Sequence, residues 1–343
     1  MAYSTISKPG LHFNTATYAG NGGTNAITGL GFKPDLVWTK NRSATANHLL
    51  YDAVRGAGYY LYPNLINSQG GNGTSALDSF DSDGFTLDGG DDSNVNGQNG
   101  VAWSWKGASS SGSANSDGDI ASTVSANTTA GFSVVKWTAN GSDADTVGHG
   151  LGVAPKIVLY KNIDQSGSWY WVYKYVDGSL DYLTLNAISA KSDLTLGTYG
   201  FTTSTTITNL GFGNTHALIA YCFAEKQGYS KFGSYTGNGN TNGTFIYTGF
   251  KPAFLLVKTY TTNGGWQLYD NKRNIGNPTS KFLVPSSTAA ETSGSNDIDF
   301  LSNGFKTRTT ANPGTTDSFI YMAFAAEPLV ANVGANGVPA TAV

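Results

Sequence analysis

The chain has 343 residues, of which 39% are hydrophobic and 13% aromatic, and this is enough apolar surface to bury a core and to exclude extensive disorder. Only 13% of the residues are charged and the formal net charge is −3, so the sequence supplies no basic surface for nucleic acid or for an anionic membrane. We therefore expect neither nucleic acid nor a membrane among its partners.

The amino terminus and the single cysteine bear on where the protein is made. The first five residues lack the basic and then apolar run of a signal peptide, and no apolar run approaches the roughly 20 residues of a membrane span. Cys222 is the one cysteine, so no intramolecular disulfide can form, and its apolar neighbours indicate a small buried hydrophobe. We expect a protein made in a cytoplasm without a signal peptide.

A short motif recurs along the chain and organises the rest of the sequence. A glycine and a proline form a corner, and a lysine follows six residues after the proline in each of three copies: 31–34 with Lys40, 152–155 with Lys161, and 249–252 with Lys258. Because a constant offset in three places is typical of an internal repeat, we interpret the chain as three repeats. The second and third prolines lie 97 residues apart.

The elements predicted in repeat one set the pattern for the others. A strand follows the corner at 35–40, a second spans 48–52, an aromatic run covers 59–62, a hairpin turns at 83–84, and a strand closes the unit at 101–105. No segment shows a sustained helical period of apolar residues. Turn signals at this density in a unit of about 97 residues predict an antiparallel β-sandwich.

The fold class predicted from these elements is all-β, with three tandem antiparallel β-sandwich-like repeats. The segment after repeat one contains mostly Ser, Ala, Gly, Asn and Asp, which favours a linker because it cannot bury much apolar surface. The predicted boundaries are 1–107 for repeat one, 108–130 for the linker, 131–228 for repeat two, 229–330 for repeat three, and 331–343 for a tail that orders against a partner.

Aromatic residues are the best candidates for binding a ligand. Trp169, Trp171, Tyr173 and Tyr175 alternate, so a strand would project them to one face and Tyr170 to the other. Flat aromatic faces stack on sugar rings, whereas burial in a core is the more common state of large aromatics. The predicted stacking residues are Trp169, Tyr170, Trp171, Tyr59, Tyr60 and Tyr62.

A calcium loop in repeat one is a weaker alternative. Asp81, Asp83 and Asp88 cluster carboxylates around a tight turn, as calcium loops do. Repeat three has Asn303 and Gly304 at the matching turn, which indicates that the repeats share a turn glycine rather than metal ligands. We expect no cofactor and no metal, with a calcium ion in repeat one left open.

Charged residues in the repeats favour structural roles. Asp52 with Arg55 is mirrored by Asp270 with Arg273, and we match the pair in repeat two to Lys174 with Asp177, in reversed order. Because a general acid or base cannot be exchanged for a lysine, this pattern favours ion pairs in turns and no catalytic residue. The repeated lysines are expected to lay their stems on apolar surface and to direct their ammonium groups to water or a carboxylate.

The segments 31–42, 48–56, 80–85 and 101–106 together resemble an uncharacterised family of repeat-bearing structural proteins from tailed bacteriophages, many of them from marine or cyanobacterial hosts. The similarity is strong in repeat one, good in repeat three and loose in repeat two. It implies a virion protein without assigned catalytic residues. The first expectation is a tail fibre or tail appendage that acts in host attachment and particle assembly, and that contacts other virion proteins, a host glycan and further copies of itself. The alternatives are a capsid-surface decoration or head-fibre protein and a glycan-degrading tailspike enzyme.

Overall fold

The computed structural model describes residues 4–71, 76–90, 92–194, 201–210, 213–294, 296–328, 330–331 and 338–339. Apart from a 3-10 turn at Pro9–Leu11, the regular elements of these residues are strands, which confirms the all-β prediction. We refer to 4–107, 108–228 and 229–328 as units one, two and three.

The strands follow in chain order. Those of unit one are β1 Phe13–Ala19, β2 Asn25–Thr28, β3 Leu36–Asn41, β4 His48–Asp52, β5 Tyr59–Tyr60, β6 Gly70–Gly71, β7 Leu77–Asp81, β8 Gly84–Leu87 and β9 Asn99–Trp105. Those of unit two are β10 Ser113–Asn115, β11 Ser122–Asn127, β12 Phe132–Thr138, β13 Thr146–Gly148, β14 Ile157–Asn162, β15 Tyr170–Tyr173, β16 Asp181–Thr184, β17 Ser192–Asp193, β18 Thr206–Thr208 and β19 Ala217–Phe223. From unit three onward the strands are β20 Ser230–Thr236, β21 Phe245–Tyr247, β22 Phe250–Thr259, β23 Gln267–Asp270, β24 Ile298–Leu301, β25 Gly304–Thr307, β26 Ser318–Pro328, β27 Val330–Ala331 and β28 Val338–Pro339.

Each unit contains a main antiparallel sheet with the same strand order. The order is β1-β9-β3-β4 in unit one and β20-β26-β22-β23 in unit three. In unit two the stretch β12-β19-β14-β15 has this order within a sheet of eight strands. A smaller sheet accompanies each main sheet, namely β2-β8-β7, β13-β18 and β21-β25-β24. The arrangement in each unit is therefore sandwich-like.

The two faces of each main sheet have different partners. On β9, Val101, Trp103 and Trp105 enter a core that contains residues of all three units, whereas Ala102 enters a core shared with the smaller sheet of unit one. Units two and three have their own outer cores in the same place. Because side chains alternate along a strand, one face of every main sheet serves the common core and the other serves its own unit.

Three aromatic residues at equivalent positions meet in the common core. Trp105, Phe223 and Phe324 pair with the residue of the corner strand at the same register in each unit, namely Leu36, Ile157 and Phe254. Their ring centroids are separated by 6.3 Å for Trp105 and Phe223, 5.8 Å for Trp105 and Phe324, and 6.1 Å for Phe223 and Phe324. The three units thus surround a single centre rather than following one another as separate bodies.

The segment 108–130, predicted to be a linker, is part of a sheet. Its strands β10 and β11 extend the main sheet of unit two by pairing with β12. The carboxylate of Asp35 fixes the junction, since it accepts hydrogen bonds from the amides of Gly107 at 2.7 Å and Ser109 at 2.9 Å and from Ser125 Oγ at 2.6 Å. Small polar residues can form such strands because the existing sheet edge supplies their main-chain partners. Of the predicted tail, all but residue 331 and residues 338–339 lie outside the described residues.

The corner motif requires its glycines. Gly31, Gly152 and Gly249 have φ values of 83°, 71° and 82°, which residues with a Cβ rarely adopt. In unit one the corner is held by the hairpin at Asp83, whose carboxylate accepts from the amides of Gly29 at 3.1 Å and Gly31 at 2.6 Å. The persistent part of the motif is therefore a backbone requirement.

Candidate functional site

The three repeated lysines lie at contacts between units. Each side chain is fully buried, and each ammonium group donates to a main-chain carbonyl of another unit: Lys40 to Thr288 at 3.3 Å, Lys161 to Ile66 at 2.9 Å, and Lys258 to Ile188 at 3.0 Å. Unit one therefore contacts unit three, unit two contacts unit one, and unit three contacts unit two. These contacts close a ring.

The same three carbonyls also accept hydrogen bonds from main-chain amides of the neighbouring unit. The donors are the amides of Ala46 to Thr288, Gly167 to Ile66 and Gly264 to Ile188, at 2.9, 2.7 and 2.8 Å. Burial lowers the pKa of all three lysines to about 8. The prediction that their ammonium groups reach water or a carboxylate is wrong, because the lysines are fully buried and their hydrogen-bond partners are main-chain carbonyls, one of them in a neighbouring unit in each case.

A second set of contacts between units uses carbonyls that lie four residues before Thr288, Ile66 and Ile188. A ring nitrogen of one unit contacts a carbonyl of another: His48 Nε2 with Val284 at 3.2 Å, Trp169 Nε1 with Tyr62 at 2.8 Å, and Trp266 Nε1 with Thr184 at 3.0 Å. Trp38 Nε1 donates to His48 Nδ1 at 3.0 Å, so His48 Nε2 carries the proton that Val284 accepts. Burial keeps the pKa of His48 well below its usual value, and the ring is therefore neutral.

The two Asp–Arg pairs are also buried between units. Asp52 Oδ2 lies 2.5 Å from Arg55 Nε and accepts from the hydroxyl of Tyr221 of unit two at 2.7 Å. Asp270 Oδ2 lies 2.5 Å from Arg273 Nε and accepts from Trp103 Nε1 of unit one at 3.0 Å. Both side chains of each pair are 0% exposed, so these carboxylates hold neighbouring units together.

The prediction that Lys174 and Asp177 of unit two match these Asp–Arg pairs is wrong. Strand pairing places Asp52 opposite Leu36 and Tyr173 opposite Ile157, so Tyr173 rather than Lys174 occupies the aspartate position. Lys174 is exposed, and Asp177 instead pairs with Lys191 at 3.0 Å near the surface. An exchanged ion pair is therefore not part of the fold.

The six predicted stacking residues divide by burial. Trp169 and Trp171 are 0% and 2% exposed in the common core, so the prediction that they stack on sugars is wrong. Trp171 packs against Trp266 of unit three at 5.2 Å between ring centroids. The alternation itself is confirmed, since Tyr170 lies on the opposite face and packs against the outer core of unit two.

Tyr170 borders a small surface cavity. The cavity has a volume of about 200 Å³ and is also lined by Asn162, Ser168 and Asn214. Tyr182 contacts the Tyr170 ring edge-on at 5.3 Å. The cavity is smaller than the roughly 300 Å³ at which ligand pockets usually begin. Tyr170 is half-buried here and has little free face to offer a sugar.

The tyrosines of unit one form a separate half-buried group. Tyr60 contacts Tyr62 edge-on at 5.1 Å and Tyr51 at 6.4 Å, and both Tyr60 and Tyr62 pack against the outer core of unit one. Tyr59 is half-buried in the short strand β5. Tyr60 and Tyr62 thus pack against a different outer core from Tyr170, and the structure does not bring the predicted stacking residues together at one site.

The carboxylates of the calcium alternative are occupied by their own turns. Asp81 accepts from the hydroxyls of Ser79 and Thr86 at 2.7 and 2.8 Å, and Asp83 binds the corner glycines. Asp88 accepts from the amides of Ala76 and Gly90, both at 2.8 Å. Within the described parts of the chain, no group of three or more His, Cys, Asp or Glu side chains is placed to hold a metal ion.

Two exposed aromatic residues lie outside the predicted set. Phe245 and Tyr247 are 44% and 53% exposed, and the intervening Ile246 is buried. Comparing the equivalent strands of the units would have singled them out, since neither unit one nor unit two has an aromatic residue there.

Among the described residues, no helix is long and apolar enough to cross a membrane.

Fold and contacts together define an all-β protein in which three sandwich-like units share one core and are closed into a ring by buried polar contacts. A family model described as a domain of unknown function, DUF7483, matches residues 8–328, and the chain belongs to that family. The match runs through all three units as one domain. Comparisons with curated proteins and with solved structures gave no match.

Proposed function

We propose that the protein is a structural component of a bacteriophage particle, most directly a tail fibre or tail appendage that acts in host attachment and assembly. The resemblance of segments 31–42 and 101–106 to phage particle proteins motivates the assignment to a virion. One structural observation supports a mechanical role in particular. The charged side chains that recur between units, namely Asp52 with Asp270 and the three repeated lysines, are buried where the units meet.

A ring of three similar units within one chain suits such a role. Trp105, Phe223 and Phe324 at its centre come from equivalent strands, so the body presents approximate threefold symmetry to a partner. Fibres are often trimeric, and a body of this symmetry can sit on the axis of a trimeric virion protein. Other virion proteins and further copies of this chain are the proposed partners, and the virion is the proposed location.

Quantitative mass spectrometry of purified particles tests this proposal. A tail appendage predicts the chain in a small number of copies per particle. Hundreds of copies would instead support a capsid-surface decoration protein, and absence from the particles would contradict both. Incubation of the purified protein with host polysaccharide tests the third alternative, because release of reducing sugar would establish a glycan-degrading tailspike.

A further inference from the structure

The outer face of the small sheet in unit three differs from its counterparts. Phe245 and Tyr247 lie two residues apart on edge strand β21, so both side chains point outward and their Cα atoms are separated by about 7 Å. Each keeps close to half of its surface exposed, at 44% and 53%. Two adjacent solvent-facing aromatics form a platform that water does not favour.

The fold does not need aromatic residues at these positions. The buried residue between them has an equivalent in each of the other units. In unit three Ile246 pairs with Phe305, in unit one Ile27 pairs with Phe85, and in unit two Val147 pairs with Ile207. The residues that flank these buried positions are Ala26 and Thr28 in unit one and Thr146 and Gly148 in unit two. Small or polar residues therefore suffice for the same strand elsewhere in the chain.

Phe245 is held in place across the sheet. Its partner on β25 is Lys306, whose own partner on β24 is Asp299, so the three side chains form a row on the outer face. A Cβ on Gly304 would clash with the carbonyl oxygen of Ile246 and would lie 3.1 Å from Phe245 Cε2, so the phenyl ring packs close to this glycine. The phenyl ring of Phe245 is thus packed against its own sheet.

A polar cavity adjoins this row. Its volume is about 720 Å³, and its lining includes Asn242, Asn277, Asp297, Asp299 and Arg308. Asn242 Oδ1 accepts from Lys306 Nζ at 2.7 Å, which connects the cavity to the residue beside Phe245. Lys306 and Asp299 therefore connect Phe245 with the cavity.

Contacts between neighbouring residues fix the hydrogen-bonding groups of the cavity. Arg308 Nε lies 3.1 Å from Asp299 Oδ2, and the amide of Arg308 donates to the carbonyl of Asp297 at 2.8 Å. Asp297 Oδ1 is buried and has no hydrogen-bond partner among the described residues. Two aspartates are balanced by Arg308 and Lys306, so the site carries no net charge that would select an ion.

We propose that this face of unit three binds a neutral hexopyranose oligosaccharide. Phe245 and Tyr247 would stack on the apolar faces of successive sugar rings, and the carboxylates, amides and guanidinium of the cavity would bind hydroxyl groups. A neutral ligand rich in hydroxyls fits the balanced charge and the amide, carboxylate and guanidinium groups that line the cavity. The inference deepens the proposed role in host attachment and rests on it.

Binding to defined sugars tests the site. The full chain is screened for binding to four neutral tetrasaccharides, those of glucose, galactose, mannose and N-acetylglucosamine. The tetrasaccharide that binds most tightly is then titrated by calorimetry. We expect Phe245→Ala and Tyr247→Ala each to raise Kd by about tenfold, because each removes one stacked aromatic face. Asp299→Asn is expected to weaken binding as well, through lost hydroxyl acceptance and a loosened Arg308.

Ile188→Ala is the matched control, since Ile188 is 55% exposed in unit two and its side chain lies outside the site. It should leave Kd unchanged, and all variants should unfold at the temperature of the wild type. The inference is overturned if none of the four sugars binds, or if both aromatic variants bind as the wild type does. It is also overturned if sedimentation shows that the wild type self-associates and that Phe245→Ala abolishes this, because the face would then be an interface between copies.

The outcomes separate this inference from the proposed function. A chain that is present in particles but binds none of the four sugars leaves the virion role standing and removes the sugar site. A chain that binds sugar through Phe245 and Tyr247 but is absent from particles removes the virion role and leaves the site standing.

Discussion

Replacing Asp52 by asparagine tests whether the units form one body. The Asp52 carboxylate accepts from Arg55 Nε at 2.5 Å, from the Arg55 amide at 2.8 Å and from the Tyr221 hydroxyl at 2.7 Å. Both charged side chains are fully buried. Asparagine keeps the size of the side chain and removes its charge, so the guanidinium of Arg55 is left without its counter-ion.

The expected loss of stability is large. Removing one partner of a buried ion pair costs about 3–5 kcal/mol, since the remaining charge stays desolvated. Weakening the hydrogen bond from Tyr221 adds about 1 kcal/mol. We therefore expect Asp52→Asn to lower the free energy of unfolding by about 5 kcal/mol, which is a major share of the roughly 5–15 kcal/mol that stabilises a typical domain.

Equilibrium unfolding in urea, followed by tryptophan fluorescence and circular dichroism, measures this change. Tyr221→Phe is the first control and should lose only about 1.5–3 kcal/mol, because it removes one hydrogen bond to a charged acceptor. The double variant Asp52→Leu with Arg55→Met should recover part of the loss, because no unpaired charge remains although the Tyr221 hydroxyl still lacks its acceptor. The reasoning is refuted if Asp52→Asn loses less than about 1 kcal/mol, or if it destabilises only a separate transition of unit one.

Three further predictions concern the ring and the corners. The pKa of Lys161 in the folded protein is about 8, below its ordinary value of 10.5, so between these two values the unfolded chain binds more protons and the free energy of unfolding rises with pH. Lys161→Met should reduce the slope of that free energy against pH by up to about 1.4 kcal/mol per pH unit, and an unchanged slope in urea titrations at several pH values would contradict the prediction. Glu291 of unit three pairs with Arg42 of unit one at 2.9 Å and with Arg273 at 3.1 Å, and although burial alone would raise the pKa of Glu291, these two arginines lower it overall, so its stabilising contribution is present at neutral pH and is lost on acidification. Glu291→Gln should cost about 1–3 kcal/mol at pH 7 and flatten the acid limb of the stability curve, whereas an unaltered acid limb would exclude the effect. Gly152→Ala should lower stability by about 1–2 kcal/mol, because Gly152 has a φ of 71° and its surroundings are otherwise open. Gly167→Ala is the control and should cost less, since Gly167 also has no atom within 4 Å of an added Cβ but has no positive φ. Equal effects of the two variants in thermal unfolding would argue against a backbone requirement.

Local pattern predicted the fold class and the corner, because both depend on residues close in sequence. The glycine of the corner needs a positive φ, and the alternation from Trp169 to Tyr173 needs only a strand. Which side of that strand is buried depends on another unit, and nothing local to Trp169 shows that Tyr62 accepts its hydrogen bond. The stacking prediction failed for this reason.

The same distinction explains the lysines and the assumed linker. The constant offset of Lys161 was visible, but its acceptor, Ile66, lies in another unit. Small polar residues in 108–130 form strands because the edge of β12 is available to them, and composition alone cannot indicate that. Phe245 and Tyr247 did carry a local signal, since they alternate with a buried isoleucine and have no aromatic counterpart in the other units.

Locating the chain in a reconstruction of the phage particle tests the central proposal most directly. We predict that density for this body, with its three similar units around one centre, lies on a tail appendage in low copy number. The outer sheet of unit three, with Phe245 and Tyr247, should face away from the particle. Density on the capsid lattice, or particles that lack the chain altogether, would contradict the proposal.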